Sequence, residues 1–230
     1  MKGIKHVFFD LDHTLWDHET NARKVLKDLY KEFDFESKFG ITESKFLMNY
    51  TKVNGRLWND YNHGRVEKDY LRNERFRIVL EACRVKEVKN SIELSDYFLY
   101  HCPRQHALMD GADMVLEYLV KKYPMSIITN GFEDVQKVKL ESSGLDKFFT
   151  HLITSESMGK KKPEPAIFQH ALKLAGVKSH EAVMIGDNLK ADVEGAKGAN
   201  ILPIFYDPIG TVKSDCQWQI SHLSELMKIL

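Results

Sequence analysis

Five short apolar runs, each ending in polar or glycine residues, constrain the fold of this chain more than any other feature. The runs are IKHVFFD, MSIITNG, HLITSE, EAVMIGD and NILPIFY. A strand that helices cover on both faces has no polar side, so such runs are typical of the buried strands of a parallel sheet. Helical patterns of crossover length lie between the later runs, over residues 133–142, 165–175 and 190–199. The sequence therefore predicts an α/β fold made of βαβ units.

A long interval separates the first predicted strand from the second. It contains about 115 residues, although a single crossover helix is enough to connect two parallel strands. Amphipathic patterns fill the interval near residues 18–33, 42–62, 67–83, 89–100 and 110–122. The last of them is assigned to the crossover itself. We therefore expect a helical cap domain over 16–100, inserted into a core domain formed by 1–15 and 101–230.

The charge balance gives no sign of a polyanionic partner. Lysine plus arginine and aspartate plus glutamate number 33 each, so no net field attracts nucleic acid or an anionic membrane surface. The N-terminal apolar run is too short for a signal peptide, and no window approaches the roughly 18 apolar residues of a membrane span. Cys83, Cys102 and Cys216 include no CxxC pair, which is typical of buried thiols in a reducing compartment. We therefore expect a cytoplasmic protein with a small-molecule partner, no nucleic acid polymer and no membrane.

Polar side chains follow three of the predicted strands. Ligands of open parallel sheets bind beyond the carboxyl ends of the strands, so these side chains indicate one site. They are Asp10, Asp12 and Thr14 after the first strand, Thr129, Asn130 and Gly131 after the second, and Asp187, Asn188 and Asp192 after the fourth. Each of the last two groups, taken alone, also fits an ordinary turn or helix cap.

Asp10 and Asp12 are the most specific of these residues. Residues two apart in an extended segment project to the same side, so the two carboxylates face one space and need a cation or a raised pKa. Mg²⁺ suits them because it takes one or two carboxylates with water and phosphate oxygens, and Asp187 can add a further oxygen. With the metal bound, Asp10 can act as a nucleophile and Asp12 as a proton donor. The alternative is a strand end with two turn-forming aspartates.

Lys162 lies in the stretch KKKPEPAIF, directly before Pro163. A residue before proline is held extended, so the Lys162 ammonium can be aimed at a neighbouring anionic site. There it can screen Asp10 and neutralise a phosphate oxygen. Lys160 and Lys161 instead fit a solvated surface.

Four motifs in register resemble the haloacid dehalogenase (HAD) superfamily. They are DxDxT after a strand, TNG, KP before a helix and GDxxxxD, and the resemblance spans nearly the whole chain. It implies a Rossmann-like, doubly wound parallel sheet core with a helical cap inserted after the first strand. It also implies phosphoryl transfer through an aspartyl-phosphate, in which Asp10 attacks phosphorus. Asp12 then protonates the leaving oxygen and later deprotonates the hydrolytic water.

The same resemblance gives a role to each remaining motif residue. Thr129 and Asn130 hold the phosphoryl group, and Lys162 stabilises its charge. The implied Mg²⁺ ligands are Asp10, Asp187 and the carbonyl oxygen of Asp12. The secondary residues are Thr14, Gly131, Asn188 and Asp192, the last as an outer support of the metal site or a loop anchor.

The carboxylate at position 12 separates the branches of this superfamily. Dehalogenases resemble DxYGT at the first motif because a halide leaves without a proton, whereas the acid of Asp12 suits an alkoxide leaving group. The sequence therefore favours a phosphatase over a 2-haloacid dehalogenase. A mutase, which also carries the second aspartate, stays open.

The segments ITNGFEDVQKVKLESSGLDKFF and NGRLWNDYNHGRVEKDYLRNERF are similar to the pyrimidine 5′-nucleotidases of the YjjG type. This likeness implies a nucleoside monophosphate as substrate. Aromatic rings of the cap can stack on a base, and arginines can hold a ribose or phosphate. The candidate substrate-binding residues are Trp16, Asn54, Trp58, Tyr61 and Arg65, with Arg72 and Arg75. Each also fits a plainer role, in the cap core for the aromatic residues and in salt bridges for the last two.

We therefore expect a Mg²⁺-dependent phosphomonoester hydrolase that acts on a pyrimidine nucleoside 5′-monophosphate, as a monomer or dimer. The alternative within enzymes is a phosphatase for another small metabolite, such as phosphoglycolate or a sugar phosphate. The alternative from another class is a non-catalytic binding module. That module predicts the loss of at least one main motif residue, and the sequence retains Asp10, Asp12, Lys162 and Asp187.

Overall fold

The computed structural model describes residues 1–85 and 91–230, and the chain forms two compact units. The sheet unit contains residues 1–18 and 106–230, and the helical unit contains residues 19–105. The first two residues of the helix predicted near 89–100 lie outside the described residues.

The units divide at different residues from those expected. Residues 16–18 lie in the sheet unit, where the Asp17 N–H donates to the carbonyl of Ala107 at 3.0 Å. At the other end, the last helix of the helical unit runs to His101 and continues into a 3₁₀ turn, so residues 101–105 stay with that unit. The boundary between the two units is therefore set by backbone hydrogen bonds and not by the end of the first strand.

Among the described residues, six parallel strands form the sheet, in the order β3-β2-β1-β4-β5-β6. They are β1 (His6–Phe9), β2 (Met125–Thr129), β3 (His151–Thr154), β4 (Ala182–Gly186), β5 (Leu202–Tyr206) and β6 (Gln219–Ile220). The strand order reverses between β1 and β4, which is where open α/β sheets bind ligands. The predicted doubly wound parallel sheet is confirmed, and β6 is a short strand that was not predicted from the sequence.

The α-helices follow the predicted patterns in most places. In the helical unit they are α1 (His18–Glu32), which begins at the unit boundary, α2 (Phe35–Phe39), α3 (Glu43–Asn62), α4 (Lys68–Ala82) and α5 (Ser91–His101). In the sheet unit they are α6 (Ala112–Leu119), α7 (Glu133–Ser143), α8 (Ser155–Met158), α9 (Pro165–Ala175), α10 (Gly195–Gly198) and α11 (Leu226–Ile229). Among the described residues, no helix has both the length and the apolar character that crossing a bilayer requires.

The segment predicted as a helix over 190–199 has two parts. A π-helix at Leu189–Glu194 precedes the short helix α10. The Val193 N–H donates to the carbonyl of Asn188, five residues back, at 3.3 Å. Single π-helical turns of this kind often occur at functional sites.

The core of the sheet unit packs α9 against the sheet. Phe8, Ile128 and Met184 come from three strands, and Ile167 and Phe168 come from α9; all five are fully buried. Full burial of a side chain of this size stabilises the fold by roughly 1.5–3 kcal/mol. This packing holds the carboxyl ends of β1, β2 and β4 in fixed positions.

Aromatic side chains form much of the core of the helical unit. The rings of Phe35 and Phe46 lie 4.7 Å apart, and those of Tyr50 and Phe98 lie 5.4 Å apart. Arg75 is buried beside them, with its guanidinium carbon 5.0 Å from the centre of the Phe98 ring. The helical unit therefore has a core of its own.

Candidate active site

Lys162 lies at the centre of a cluster of charged groups at the carboxyl ends of β1, β2 and β4. Its ammonium donates to Oδ1 of Asp10 at 2.6 Å, to Oδ1 of Asp192 at 2.6 Å and to the carbonyl of Ile128 at 2.7 Å. These three bonds use all three ammonium hydrogens. Burial disfavours the charged form, but the carboxylates of Asp10 and Asp192 outweigh it and raise the pKa of Lys162. The lysine is therefore a fixed cation beside Asp10.

Asp10 follows β1 directly, and its N–H donates to the carbonyl of Ile185 in β4 at 2.9 Å. Oδ1 accepts from Lys162, whereas no described residue donates a hydrogen bond to Oδ2. Burial raises the pKa of Asp10, and this effect outweighs the lowering by Lys162. The site therefore presents a buried carboxylate with one oxygen held and the other uncommitted.

Asp10, Asp187 and Asp192 form a cluster of carboxylates that can hold a metal ion. One oxygen of each lies within 4.8 Å of the other two. Asp192 is already engaged, because its Oδ1 accepts from Lys162 and its Oδ2 accepts from the Asn188 N–H at 3.0 Å. The two remaining carboxylates match the preference of Mg²⁺ for hard oxygen ligands and few carboxylates. Burial raises the pKa of Asp187, and the nearby carboxylate of Asp10 adds to the effect.

Thr14 fixes the position of Asp187, and Asn188 caps the helix that follows it. The Thr14 hydroxyl donates to Oδ1 of Asp187 at 3.0 Å, and the Asp187 N–H donates to the hydroxyl oxygen at 3.1 Å. Asn188 caps the π-helix, where its Oδ1 accepts from the N–H groups of Lys190 and Ala191 at 3.1 and 2.9 Å. The cap role expected as an alternative for Asn188 is therefore present in the structure.

The Asp12 carboxylate has different partners from the Asp10 carboxylate. Lys139 donates to its Oδ1 at 2.5 Å, and Gln136 donates to its Oδ2 at 2.8 Å. Burial alone would raise the pKa of Asp12, but the Lys139 ammonium lowers it well below the usual range. The space shared with Asp10 and the proton on Asp12, which the sequence predicts for the metal-bound site, stay predictions. In the structure each aspartate has its own lysine, and the partners of Asp12 favour its ionised form.

Thr129 is the last residue of β2 and Asn130 follows it, and their side chains contact different neighbours. The Asn130 side chain binds the backbone of Lys162 twice, donating to its carbonyl at 3.0 Å and accepting from its N–H at 2.8 Å. The Thr129 hydroxyl oxygen accepts from the Gly131 N–H at 3.1 Å and from Nε2 of Gln136 at 2.9 Å. Asn130 therefore positions the Lys162 loop, while Thr129 is oriented by α7.

Gly131 and Gly186 lack a side chain because a neighbour fills the space. A Cβ at position 131 would lie 2.1 Å from Nε2 of Gln136, and one at position 186 would lie 2.3 Å from Oδ2 of Asp192. Neither glycine has a positive φ, so close approach and not backbone conformation requires it. The glycines of the TNG and GD motifs are therefore part of the packing of the site.

Trp16 does not occupy its expected position. It lies in the sheet unit and not in the cap, it is fully buried, and Nζ of Lys139 lies 4.4 Å from the centre of its ring. A ring that packs inside the fold beneath a lysine is not presented to a substrate base. Trp16 was assigned to the cap only because the boundary was placed too early.

The other expected substrate-binding residues are engaged within the helical unit. Asn54 accepts from Nη1 of Arg75 at 3.0 Å, which links α3 to α4 without a salt bridge. Trp58 and Tyr61 contact each other edge to face at 5.7 Å, and Tyr61 is buried. Arg65 forms an exposed ion pair with Asp60 at 2.7 Å. The contact between Trp58 and Tyr61 matches the plainer role that the sequence allowed for the aromatic residues. Arg75 instead donates to an amide oxygen and forms no salt bridge with a described residue.

Gln136 and Lys139 were not identified from the sequence. They lie three residues apart on α7 and share a helix face with the buried Leu140. Two polar residues at core-facing positions of a helix are the signal that could have found them.

Comparison with known proteins agrees with this arrangement. Residues 4–200 match the haloacid dehalogenase-like hydrolases. Pyrimidine 5′-nucleotidase YjjG of Escherichia coli is 30% identical over 233 residues, which cover 97% of this chain and 96% of that protein. Pyrimidine 5′-nucleotidase PynA of Streptococcus pneumoniae is 29% identical over 207 residues, which cover 89% and 84%.

The fold has a counterpart among solved structures. The HAD-hydrolase YfnB of Bacillus subtilis, in a crystal structure bound to magnesium, has a TM-score of 0.88 and 25% identity. The similarity covers 100% of this chain and 99% of that one. The resemblance drawn from the four motifs is thereby confirmed. The strand order, the motif residues around Lys162 and the extent of the family match agree that this chain belongs to the haloacid dehalogenase-like hydrolase family.

Proposed function

We propose that the protein is a Mg²⁺-dependent phosphatase of small phosphomonoesters, with pyrimidine nucleoside 5′-monophosphates as its substrates. The main support is the geometry of Asp10, whose Oδ1 accepts a hydrogen bond from Lys162 while Oδ2 accepts none from a described residue. A buried carboxylate held in this way is suited to nucleophilic attack. The two relatives named pyrimidine 5′-nucleotidase support the choice of substrate.

In the first half-reaction, an oxygen of Asp10 forms a bond to phosphorus as the bond from phosphorus to the leaving alkoxide breaks. Lys139 favours the ionised form of Asp12, so Asp12 takes up a proton before this step. It then gives that proton to the leaving oxygen, so the alcohol departs neutral. Lys162 keeps the reacting carboxylate in place, and the Thr129 hydroxyl donates to a phosphoryl oxygen. The product of this step is an aspartyl-phosphate on Asp10.

In the second half-reaction, water attacks the phosphorus of the aspartyl-phosphate. Asp12 takes a proton from the water, and the bond from phosphorus to the Asp10 oxygen breaks. Phosphate leaves, and both aspartates return to their starting states. The same group thus acts as an acid in the first step and as a base in the second.

Asp10, Asp187 and the carbonyl oxygen of Asp12 are the proposed Mg²⁺ ligands. When bound, the ion supplies positive charge that offsets the charge of the phosphoryl oxygens. The engagement of Asp192 by Lys162 and Asn188 leaves it the role of supporting the site.

Trp58 and Arg65 are the proposed selectivity residues of the helical unit, with Asn54 and Tyr61 supporting them. Trp58 is half-buried and Arg65 is exposed, so neither is confined to the core of its unit. An aromatic ring can stack on a base and an arginine can bind a ribose or phosphate oxygen. Alanine variants of these two residues are expected to change KM for nucleotides more than KM for a small aryl phosphate.

The test is phosphate release from a panel of pyrimidine and purine nucleoside monophosphates, sugar phosphates and phosphoglycolate, with Mg²⁺ or with EDTA. Asp10→Asn is expected to abolish release, whereas the exposed Asp113→Asn on α6 is a matched control. The proposal expects pyrimidine monophosphates to lead by at least about tenfold in kcat/KM, or about 1.4 kcal/mol of transition-state preference.

Other outcomes contradict the proposal at different levels. If phosphoglycolate or a sugar phosphate has the highest kcat/KM, the phosphatase chemistry holds but the nucleotide assignment is wrong. Release of halide from a 2-haloacid contradicts the argument from Asp12. Activity that survives Asp10→Asn contradicts the mechanism.

A further inference from the structure

Helix α7 presents polar side chains to the interior of the sheet unit. Gln136 is fully buried and Lys139 is 5% exposed, on the same face as Leu140. Burying an amide and an ammonium costs free energy unless each group makes hydrogen bonds inside the protein. Both groups direct their donors to residues of the candidate active site.

Gln136 connects two of those residues through one nitrogen. Nε2 donates to Oδ2 of Asp12 at 2.8 Å and to the hydroxyl oxygen of Thr129 at 2.9 Å. An amide nitrogen has two hydrogens, so one serves each acceptor. Its other atom, Oε1, is buried and accepts no hydrogen bond from a described residue. The reverse orientation would place Oε1 against the Asp12 carboxylate, so the donors and not the acceptor set the position of this amide.

The contacts of Thr129 orient its hydroxyl. The oxygen accepts from Gln136 and from the Gly131 N–H, which occupies both lone pairs. The hydroxyl hydrogen is therefore left to donate elsewhere. A hydroxyl that is held as a donor is the form that binds an anionic oxygen.

Lys139 holds the second oxygen of Asp12. Its Nζ lies 2.5 Å from Oδ1 and 4.4 Å from the centre of the Trp16 ring. Nδ1 of His18 lies 3.8 Å from the same oxygen, which is beyond hydrogen-bond distance. The two oxygens of Asp12 thus have one close donor each, from residues one turn apart on α7.

We infer that Gln136 and Lys139 are positioning residues for phosphoryl transfer, which fix the Asp12 carboxylate and aim the Thr129 hydroxyl. The inference rests on the proposed phosphatase function. It predicts a pattern that loss of stability alone does not produce. Because Asp12 protonates the leaving oxygen, its misplacement slows the release of basic alkoxides more than the release of acidic phenols.

The test compares Lys139→Met and Gln136→Met on two substrates, a nucleoside 5′-monophosphate and p-nitrophenyl phosphate. The methionine side chain is as long as that of glutamine and one atom shorter than that of lysine, and it lacks their donors. Gln136→Met also removes the buried Oε1 that lacks a partner. Lys137→Met on the exposed face of α7 is the matched control. Thermal unfolding confirms that each variant is folded, and Gln136→Met remains informative if Lys139→Met does not fold.

We expect kcat for the nucleotide to fall by about 10²-fold or more, within the range for general acid–base groups, and kcat for the aryl phosphate to fall less than about tenfold. KM should change little, Lys139→Arg should restore part of kcat, and Lys137→Met should behave as the wild type. In an Asp12→Asn background, Lys139→Met should cause no further change in the ratio of the two kcat values, because it acts through Asp12.

Equal losses on both substrates, a change in KM alone, or wild-type kinetics in both methionine variants overturn the inference while the proposed function stands. Failure of the wild type to hydrolyse any phosphomonoester overturns both. An additive effect of Lys139→Met in the Asp12→Asn background shows that Lys139 acts by another route, and this also overturns the inference.

Discussion

The Lys162 ammonium lies 2.6 Å from Oδ1 of Asp10, and the two residues are only 3% and 8% exposed. Burying such a pair costs desolvation free energy, so its presence alone does not imply a gain in stability. Breaking the pair is a different matter, because the partner that remains is a buried charge without compensation.

Lys162→Met is therefore expected to lower the free energy of unfolding by about 3–5 kcal/mol, because it leaves Asp10 and Asp192 without their cation. Urea unfolding in EDTA at neutral pH measures the change. Lys160→Met, in the same run of lysines but exposed, is the control and should stay within about 0.5 kcal/mol of the wild type.

The double variant Lys162→Met/Asp192→Asn separates stability from activity. Removing one of the two carboxylates should restore part of the lost stability, whereas hydrolysis should not return. A Lys162→Met protein as stable as the wild type would show that the charges of this cluster are not energetically coupled.

Asp187→Asn is expected to have opposite effects with and without Mg²⁺. Without the metal it removes a buried carboxylate that repels Asp10, so the free energy of unfolding should rise by about 1 kcal/mol. With Mg²⁺ at about 100 times its Kd, the wild type should gain about 2.7 kcal/mol and the variant much less. Equal stabilisation of both proteins in a thermal titration with Mg²⁺ argues against Asp187 as a ligand.

Gly186→Ala should destabilise the sheet unit. The added Cβ would lie 2.3 Å from Oδ2 and 2.6 Å from Cβ of Asp192, so the clash reaches an atom close to the backbone. The expected cost is about 1–3 kcal/mol, as for overpacking elsewhere in protein cores. Gly55→Ala in α3 is the contrasting control, because its Cβ meets no atom within 4 Å and should add about 0.5–1 kcal/mol of stability. Similar values for the two variants would contradict the steric argument.

His6 should make the protein sensitive to mild acid. Burial, with a smaller contribution from His151, lowers the pKa of His6 from 6.5 to about 4. The unfolded chain takes up the proton first, so stability is lost as pH falls from 6.5 towards 4, by up to about 3 kcal/mol. His6→Gln keeps a polar group near the Ser126 hydroxyl, which lies 3.0 Å from Nε2, but does not titrate. Urea unfolding between pH 7 and 4 should show a smaller loss for this variant, and an identical loss would exclude His6 as the cause.

The sheet could be predicted from the sequence because burial on both faces removes polar residues from its strands. All four residues of β1 are buried, as the run HVFF suggested. Strand β6 has only two residues, one of which is the exposed Gln219, so no apolar run in the sequence indicates this strand. The π-helix at Leu189–Glu194 was also missed, because its residues suit an α-helix equally well and do not indicate that the Val193 N–H bonds to the carbonyl five residues back.

The residues at the strand ends could be predicted because a parallel sheet brings those ends to one edge. The hydrogen-bond partner of each of these side chains could not be predicted, because it depends on how α7 is rotated about its axis. That rotation directs Gln136 and Lys139 inward and gives Asp12 its own cation. Helix periodicity predicts that a face is buried, but it does not say that polar residues on that face will bind an aspartate from another motif.

Gly131 and Gln136 share one volume, since a Cβ on the first would overlap the amide of the second. A substitution at one of these positions therefore restricts which residues the other position can accept. A larger residue at 131 requires a shorter one at 136, and a shorter residue there loses the donor that Asp12 and Thr129 share. Neither position can change alone without loss, so substitutions here are expected to arise as compensated pairs or not at all.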